Sequence, residues 1–184
     1  QKKEALFFLR IHEKKGILEL LNSWSIIKPT NWILKIYGPV SDMSYMNEIK
    51  KKILQLSLEN SVFIFDPVFE YDQKEEVFLN SDCFILPSKS ENFGMSIVEA
   101  LSYGVPVLTT EETPWKILKE IDGGKIIKFS QDNLNSSLKE ITSMSNEELI
   151  AMGDRGREFL KKNYDINKII LDYIEFYKEV LNKW

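Results

Sequence analysis

Short apolar runs alternate along the chain with longer segments in which apolar residues recur at helical spacing. Runs of strand length occur at residues 5–9, 31–37, 62–65, 83–86, 105–108 and 126–127. Between them, segments such as residues 17–24 and 44–58 have the periodicity of amphipathic helices. Strands and helices that alternate without repeats predict an α/β domain with a doubly wound, Rossmann-like parallel sheet.

Three helical segments follow the last apolar run, at residues 132–144, 146–163 and 166–184. We predict a single domain over residues 1–184 that includes these helices. One apolar stripe runs along the last helix and comprises Ile166, Ile169, Ile170, Tyr173, Ile174, Tyr177 and Val180. A continuous stripe of this kind is typical of a helix that packs against another surface.

The composition is that of an ordinary soluble globular domain, with 43% hydrophobic and 28% charged residues among 184. The net charge of -4 gives no reason to expect a nucleic-acid partner. The single cysteine, Cys83, lies in an apolar strand pattern, so we expect a buried, unreactive thiol in a cytoplasmic protein. No run of about 18 apolar residues predicts a membrane-spanning helix.

Residues 84–110 read FILPSKSENFGMSIVEALSYGVPVLTT and predict a strand, a loop, a helix and a second strand. The loop after the first strand lies at the carboxyl edge of the sheet, where open parallel sheets bind ligands. Gly94 opens the helix, so the backbone N–H groups of Gly94, Met95 and Ser96 are free of intrahelical acceptors. We predict a phosphate-binding site at the start of this helix.

Two carboxylates lie close to this predicted phosphate-binding site. Glu91 is on the loop and Glu99 follows after seven intervening residues, just over one turn into the helix. Carboxylates accept hydrogen bonds from sugar hydroxyls, which suggests a ligand that has both a phosphate and hydroxyls. The alternative is a pair of solvated carboxylates with no ligand, stabilised by the helix dipole.

The string SENFGMSIVEALSYGVPV resembles the E-x7-E signature of retaining, nucleotide-sugar-dependent glycosyltransferases of the family-four type, which have the two-domain GT-B architecture. The preceding Pro-Ser matches as well. The resemblance implies that this chain is the carboxyl-terminal, donor-binding domain and that an amino-terminal acceptor domain is absent from it. The first residue, Gln1, is not an initiator methionine, which agrees with a piece of a longer protein.

The resemblance assigns roles to the loop and helix. Glu91 would hold hydroxyls of the donor sugar and Glu99 the ribose diol. Gly94, Met95 and Ser96 would offer backbone amides to phosphate and sugar, with Phe93 beside them in the same binding loop.

Two further loops also match the family. RIHEKKG at residues 10–16 is similar to a G-R-x4-K-G string that binds the diphosphate, although Leu9 stands where the glycine usually is. Arg10 and Lys15 would then be the two cations, the alternative being solvated surface charges. After the strand at residues 62–65, Val68 and Phe69 would lie near the nucleotide base, although Phe69 is equally suited to fill the core.

Trp115, in the string TPW, offers a similar choice. It could pack on the donor sugar, although we favour a buried side chain that anchors the following helix.

The function implied is transfer of a sugar from a nucleotide diphosphate sugar to an acceptor, as in bacterial surface polysaccharide synthesis. No Asp-x-Asp pair occurs, so we expect no metal cofactor. Two alternatives stay open: an enzyme similar to sugar-nucleotide 2-epimerases, and a nucleotide-sugar-binding module inactive on its own. We expect the missing domain and the donor as partners, with peripheral association of the full-length protein at the inner face of the membrane as an option.

The last helix commonly crosses back to the amino-terminal domain in the resembled fold. The stripe on residues 166–184 would then lack its partner in this chain. We therefore expect an exposed apolar patch that favours self-association.

Overall fold

A computed structural model describes residues 2–181, although not the side chains of residues 166–169, 171–172 and 179. Six strands form one sheet in which every neighbouring pair is parallel. They are β1 Lys3–Phe8, β2 Trp32–Tyr37, β3 Val62–Phe65, β4 Cys83–Leu86, β5 Val107–Thr110 and β6 Gly124–Ile127. Their order across the sheet is β3-β2-β1-β4-β5-β6, which confirms the predicted doubly wound topology.

Helices cover both faces of the sheet. They are α1 Ile17–Ile27, α2 Met43–Gln55, α3 Tyr71–Leu79, α4 Met95–Ser102, α5 Ile117–Glu120, α6 Gln131–Ser143, α7 Asn146–Asn163 and α8 Ile166–Leu181. In one layer α1 packs against α2 and α6, and in the other α4 packs against α7. Strands β4 and β5 are buried at every residue, as expected when both faces of a parallel sheet are covered.

The direction of winding reverses between β1 and β4. From β1 the chain proceeds outward through β2 to β3, then returns to pair β4 with the other side of β1. The loops that leave β1 and β4 therefore lie next to each other at the carboxyl edge, at the point where doubly wound proteins bind their ligands in a crevice. These are the loops that carry Lys15 and Glu91.

The described part of the last helix has no covering element over its apolar stripe. Its described members, which are Ile170, Tyr173, Ile174, Tyr177 and Val180, are exposed. The other two, Ile166 and Ile169, lie outside the described side chains, and residues 182–184 of the predicted helix lie outside the described residues. Among the helices that the structure describes, none is long and apolar enough to cross a membrane.

Candidate functional site

The two motif loops meet through an ion pair. Lys15 ends a 3-10 turn over Glu13–Lys15, and His12 caps this turn by accepting the Lys14 N–H at Nδ1. The Lys15 ammonium donates to Glu91 Oε2 at 2.6 Å and lies 3.4 Å from the Ser90 carbonyl oxygen. Both side chains of the pair are mostly buried, with 12% and 13% of their surface exposed. The fold thus brings together a predicted cation and a predicted carboxylate that are 76 residues apart.

A glycine allows this close approach. Gly16 has a φ of 73°, and a Cβ at this position would lie 2.1 Å from the Pro87 carbonyl oxygen. Beside this contact, the Lys89 N–H donates to the Lys14 carbonyl at 2.8 Å. Any larger residue at position 16 would push the two loops apart. Gly16 therefore allows Lys15 to come within hydrogen-bonding distance of Glu91.

Buried hydroxyl groups fix the shape of the loop after β4. The Ser88 hydroxyl donates to the Ser90 carbonyl at 2.8 Å, and the Thr110 hydroxyl donates to the Ser88 carbonyl at 2.6 Å. Ser88 and Thr110 are both fully buried. Since buried hydrogen bonds of this kind leave the backbone little freedom, Glu91 projects from a rigid support.

Helix α4 starts beside Glu91 with its N–H groups uncapped. Gly94 is the N-cap in the left-handed conformation, with a φ of 79°, and no side chain caps the first turn. A Cβ on Gly94 would lie 3.4 Å from Glu91 Cγ, so the loop carboxylate and the helix start are adjacent. Ser96 is 3% exposed, and its hydroxyl has no hydrogen-bond partner among the described residues. The helix start therefore offers unused donors next to the Lys15–Glu91 pair.

The second predicted carboxylate has a lysine of its own. Lys74, in the first turn of α3, donates to Glu99 Oε1 at 2.7 Å, and both side chains are partly exposed. Lys74 was not predicted from the sequence, because no motif connects α3 with α4. The spacing of the glutamates did place Glu99 correctly, on the fifth residue of α4.

An aromatic cluster packs against the loop between β4 and α4. Trp115 is buried, which confirms the prediction of a buried anchoring side chain and not of an exposed ring that packs on a sugar. Its indole N–H donates to the Phe93 carbonyl at 2.6 Å, so it anchors the site loop as well as α5. Tyr164 packs against both rings, with centroids 6.1 Å from Phe93 and 5.6 Å from Trp115. Phe93 itself stays partly exposed and able to contact a ligand.

The remaining predicted residues are exposed or half-buried around the Lys15–Glu91 pair. Arg10 is exposed and makes no ion pair with the described residues. Met95 is exposed, and Val68 is half-buried in the loop before α3. Phe69 is 75% exposed, so its alternative role as a core residue is wrong, whereas its contact with a base stays a prediction.

Solved structures that share this fold include a glycosyltransferase. A glycosyltransferase from Rickettsia africae superposes with a TM-score of 0.87 at 22% identity, over 98% of this chain and 48% of that protein. Anabaena HepE, solved in complex with UDP and glucose, superposes with a TM-score of 0.83 at 20% identity, over 96% of this chain and 48% of HepE. At these identities the likeness establishes the fold.

Curated relatives agree in sequence. N-acetyl-alpha-D-glucosaminyl L-malate synthase of Bacillus anthracis is 30% identical over 187 residues, covering 93% of this chain and 47% of the enzyme. The capsular polysaccharide biosynthesis glycosyltransferase CapM of Staphylococcus aureus is 26% identical over 174 residues, covering 90% and 43%. The chain thus spans about half the length of these relatives.

The family described as glycosyl transferases group 1 matches residues 1–159, which include all six strands, both motif loops and most of α7. This chain belongs to the glycosyl transferases group 1 family.

Proposed function

We propose that this chain is the donor-binding half of a retaining glycosyltransferase that transfers a sugar from a nucleotide diphosphate sugar. The observation that carries the proposal is the contact of Lys15 with Glu91 at the uncapped start of α4. A cation, a carboxylate and free backbone N–H groups meet there in the crevice of a doubly wound sheet. These are the groups that a phosphate and a sugar hydroxyl need.

Lys15 and Arg10 are proposed to neutralise the diphosphate. An ammonium has three donors, so Lys15 can keep its bond to Glu91 and still donate to a phosphate oxygen. Arg10 is exposed at the rim, free to reach the second phosphate. The N–H groups of Gly94, Met95 and Ser96 complete the anion site.

The proposed catalytic effect follows from charge. Cleavage of the bond between sugar and phosphate places negative charge on the departing diphosphate. Fixed cations and a helix amino terminus stabilise that charge more strongly in the transition state than in the ground state. Transfer therefore needs no metal in this proposal, and we expect the affinity for nucleoside diphosphates to be the same in EDTA and in Mg²⁺.

The sugar and the nucleoside are proposed to bind on either side of the diphosphate. Glu91, together with Phe93, faces the sugar, and Glu99 accepts hydrogen bonds from the ribose diol. Val68 and Phe69 lie in the loop directly before α3, whose Lys74 contacts Glu99. That adjacency supports a base site beside the ribose site.

The acceptor site is proposed to lie in a second domain, because the curated relatives are about twice as long as this chain. The name of the CapM relative supports a role in bacterial surface polysaccharide synthesis. We propose that the full-length protein acts in the cytoplasm, with peripheral association at the inner face of the membrane as an option. Alone, the chain should bind the donor but not transfer sugar.

The test is a binding series with UDP, GDP, ADP and their glucose conjugates, screened by thermal shift and measured by calorimetry. Lys15→Ala should weaken both the nucleoside diphosphate and the conjugate and make the remaining affinity less sensitive to salt. The control is Lys125→Ala, which removes a lysine that pairs with Glu140 at 2.6 Å on another part of the sheet. Absence of binding, or equal effects of the two variants, would contradict the proposal.

A further inference from the structure

Lys74 occupies a position between the proposed base and ribose sites. It lies in the first turn of α3, directly after the loop that contains Val68 and Phe69. Its ammonium is 2.7 Å from Glu99 Oε1 and 5.6 Å from the centroid of the Phe8 ring, at the end of β1. The cation is therefore held at the carboxyl edge of the sheet, beside the carboxylate proposed for the ribose.

A second contact joins the same two helices. Tyr71, the first residue of α3, interacts with Tyr103 at the end of α4, and this interaction, followed by burial, raises the pKa of Tyr103 to about 12. An isolated surface ion pair has little preference for one geometry. Here α3 and α4 are joined at two points, so the Lys74 ammonium is kept close to Glu99.

The pair has hydrogen-bonding capacity left on both sides. Lys74 has three N–H donors and uses one of them on Glu99, while Glu99 Oε2 accepts from none of the residues that the structure describes. A ribose hydroxyl is both a donor and an acceptor. A carboxylate can only accept and an ammonium can only donate, so neither side chain alone satisfies a hydroxyl.

Charge gives Lys74 a second task. Glu91 and Glu99 both lie near the site proposed for a diphosphate, and two uncompensated carboxylates would repel that ligand. Lys15 compensates Glu91, and Lys74 compensates Glu99. With Lys74 in place, a carboxylate can serve the ribose without repelling the phosphates.

We propose that Lys74 is a further specificity-determining residue, which together with Glu99 recognises the ribose diol. Glu99 accepts the hydrogen of one hydroxyl, and Lys74 donates to a hydroxyl oxygen of the same diol. This inference rests on the proposed function, because it requires a nucleotide in the site.

The experiment compares one ligand with and without its ribose hydroxyls. The probe is whichever of UDP, GDP and ADP binds the chain most tightly, together with its 2′,3′-dideoxy derivative. The parent chain should prefer the ribonucleotide by about tenfold or more, the effect of a hydrogen bond to a charged group. Lys74→Met should reduce this preference to about threefold or less, because only the ribonucleotide loses the hydrogen bond to Lys74. The uncompensated charge of Glu99 repels the diphosphate of both ligands alike and leaves their ratio unaffected.

Two further variants make the result specific. Lys74→Arg keeps a charge and several donors, so it should retain a preference for the ribonucleotide. Lys125→Met, which removes the matched ion pair with Glu140, should leave the preference unchanged. A purely structural role of Lys74 predicts instead that Lys74→Met weakens both ligands equally.

Equal weakening of both ligands, or an unchanged preference, in Lys74→Met would overturn the inference. The proposed function would still hold if Lys15→Ala weakens binding. Failure of the parent chain to bind any of the three nucleoside diphosphates would overturn the proposed function, and the inference with it.

Discussion

Gly16→Ala tests how the site is assembled. The glycine has a φ of 73°, where an alanine costs about 1–2 kcal/mol. Its Cβ would lie 2.1 Å from the Pro87 carbonyl oxygen, whereas ordinary contact begins at 3.4 Å, so the loops after β1 and β4 must separate by more than one ångström. The hydrogen bond from the Lys89 N–H to the Lys14 carbonyl, which is 2.8 Å long, would break, and its loss costs about 1 kcal/mol of stability.

We therefore expect Gly16→Ala to lower the free energy of unfolding by about 3–6 kcal/mol, because overpacking of about 1–3 kcal/mol adds to the backbone strain and the lost hydrogen bond. The same separation moves Lys15 relative to Glu91 and the start of α4. Affinity for nucleoside diphosphates should fall by about tenfold or more, since a charged hydrogen bond is lost.

Gly104→Ala is the matched control. Gly104 has a φ of 74°, but a Cβ there would have its nearest neighbour, Arg157 Nη1, at 3.6 Å. It should show only the backbone cost of about 1–2 kcal/mol and bind nucleotides like the parent chain. Urea unfolding and calorimetry give both quantities. Equal stability losses and equal affinities in the two variants would refute the idea that this close approach organises the site.

Three further predictions concern single features of the chain. Ser96→Ala should leave the free energy of unfolding unchanged or raised, because the buried hydroxyl has no partner among the described residues, and calorimetry should show unchanged nucleotide binding, because alanine keeps the backbone N–H proposed to bind phosphate. Burial raises the pKa of the Cys83 thiol, so it stays protonated at pH 8, and a thiol reagent should label it only once urea unfolds the chain. Amide hydrogens of α8 should exchange faster than those of α7, whose core side chains are buried, and uniformly slow exchange in a dilute monomer would contradict this.

The pattern of apolar residues was sufficient for most of the fold. Strands β3 and β4 and helix α7 have the bounds that the periodicity predicts. The strand predicted at residues 105–108 begins only at Val107, because Pro106 has no N–H to donate, although its carbonyl accepts from Phe84.

The site was predictable only where a motif described it. Lys15 and Glu91 belong to two separate strings, and their contact follows from the order of β1 and β4 in the sheet. The contact of Lys74 with Glu99 depends on how α3 packs against α4, and helical periodicity does not specify the partner of a helix. The hydrogen bond from Trp115 to Phe93 joins two loops, and the apolar pattern does not specify how loops lie relative to each other.

The measurement that tests the account most directly is calorimetry on Glu99→Ala and Glu91→Ala with a nucleoside diphosphate and its sugar conjugate. Glu99→Ala should weaken both ligands by about tenfold or more, since a charged hydrogen bond to the ribose is lost. Glu91→Ala should remove only the additional affinity of the conjugate, and because it frees Lys15, the affinity for the nucleoside diphosphate should stay the same or rise. If Lys15→Ala weakens binding while both glutamate variants bind like the parent chain, the crevice is a phosphate site without nucleotide-sugar recognition.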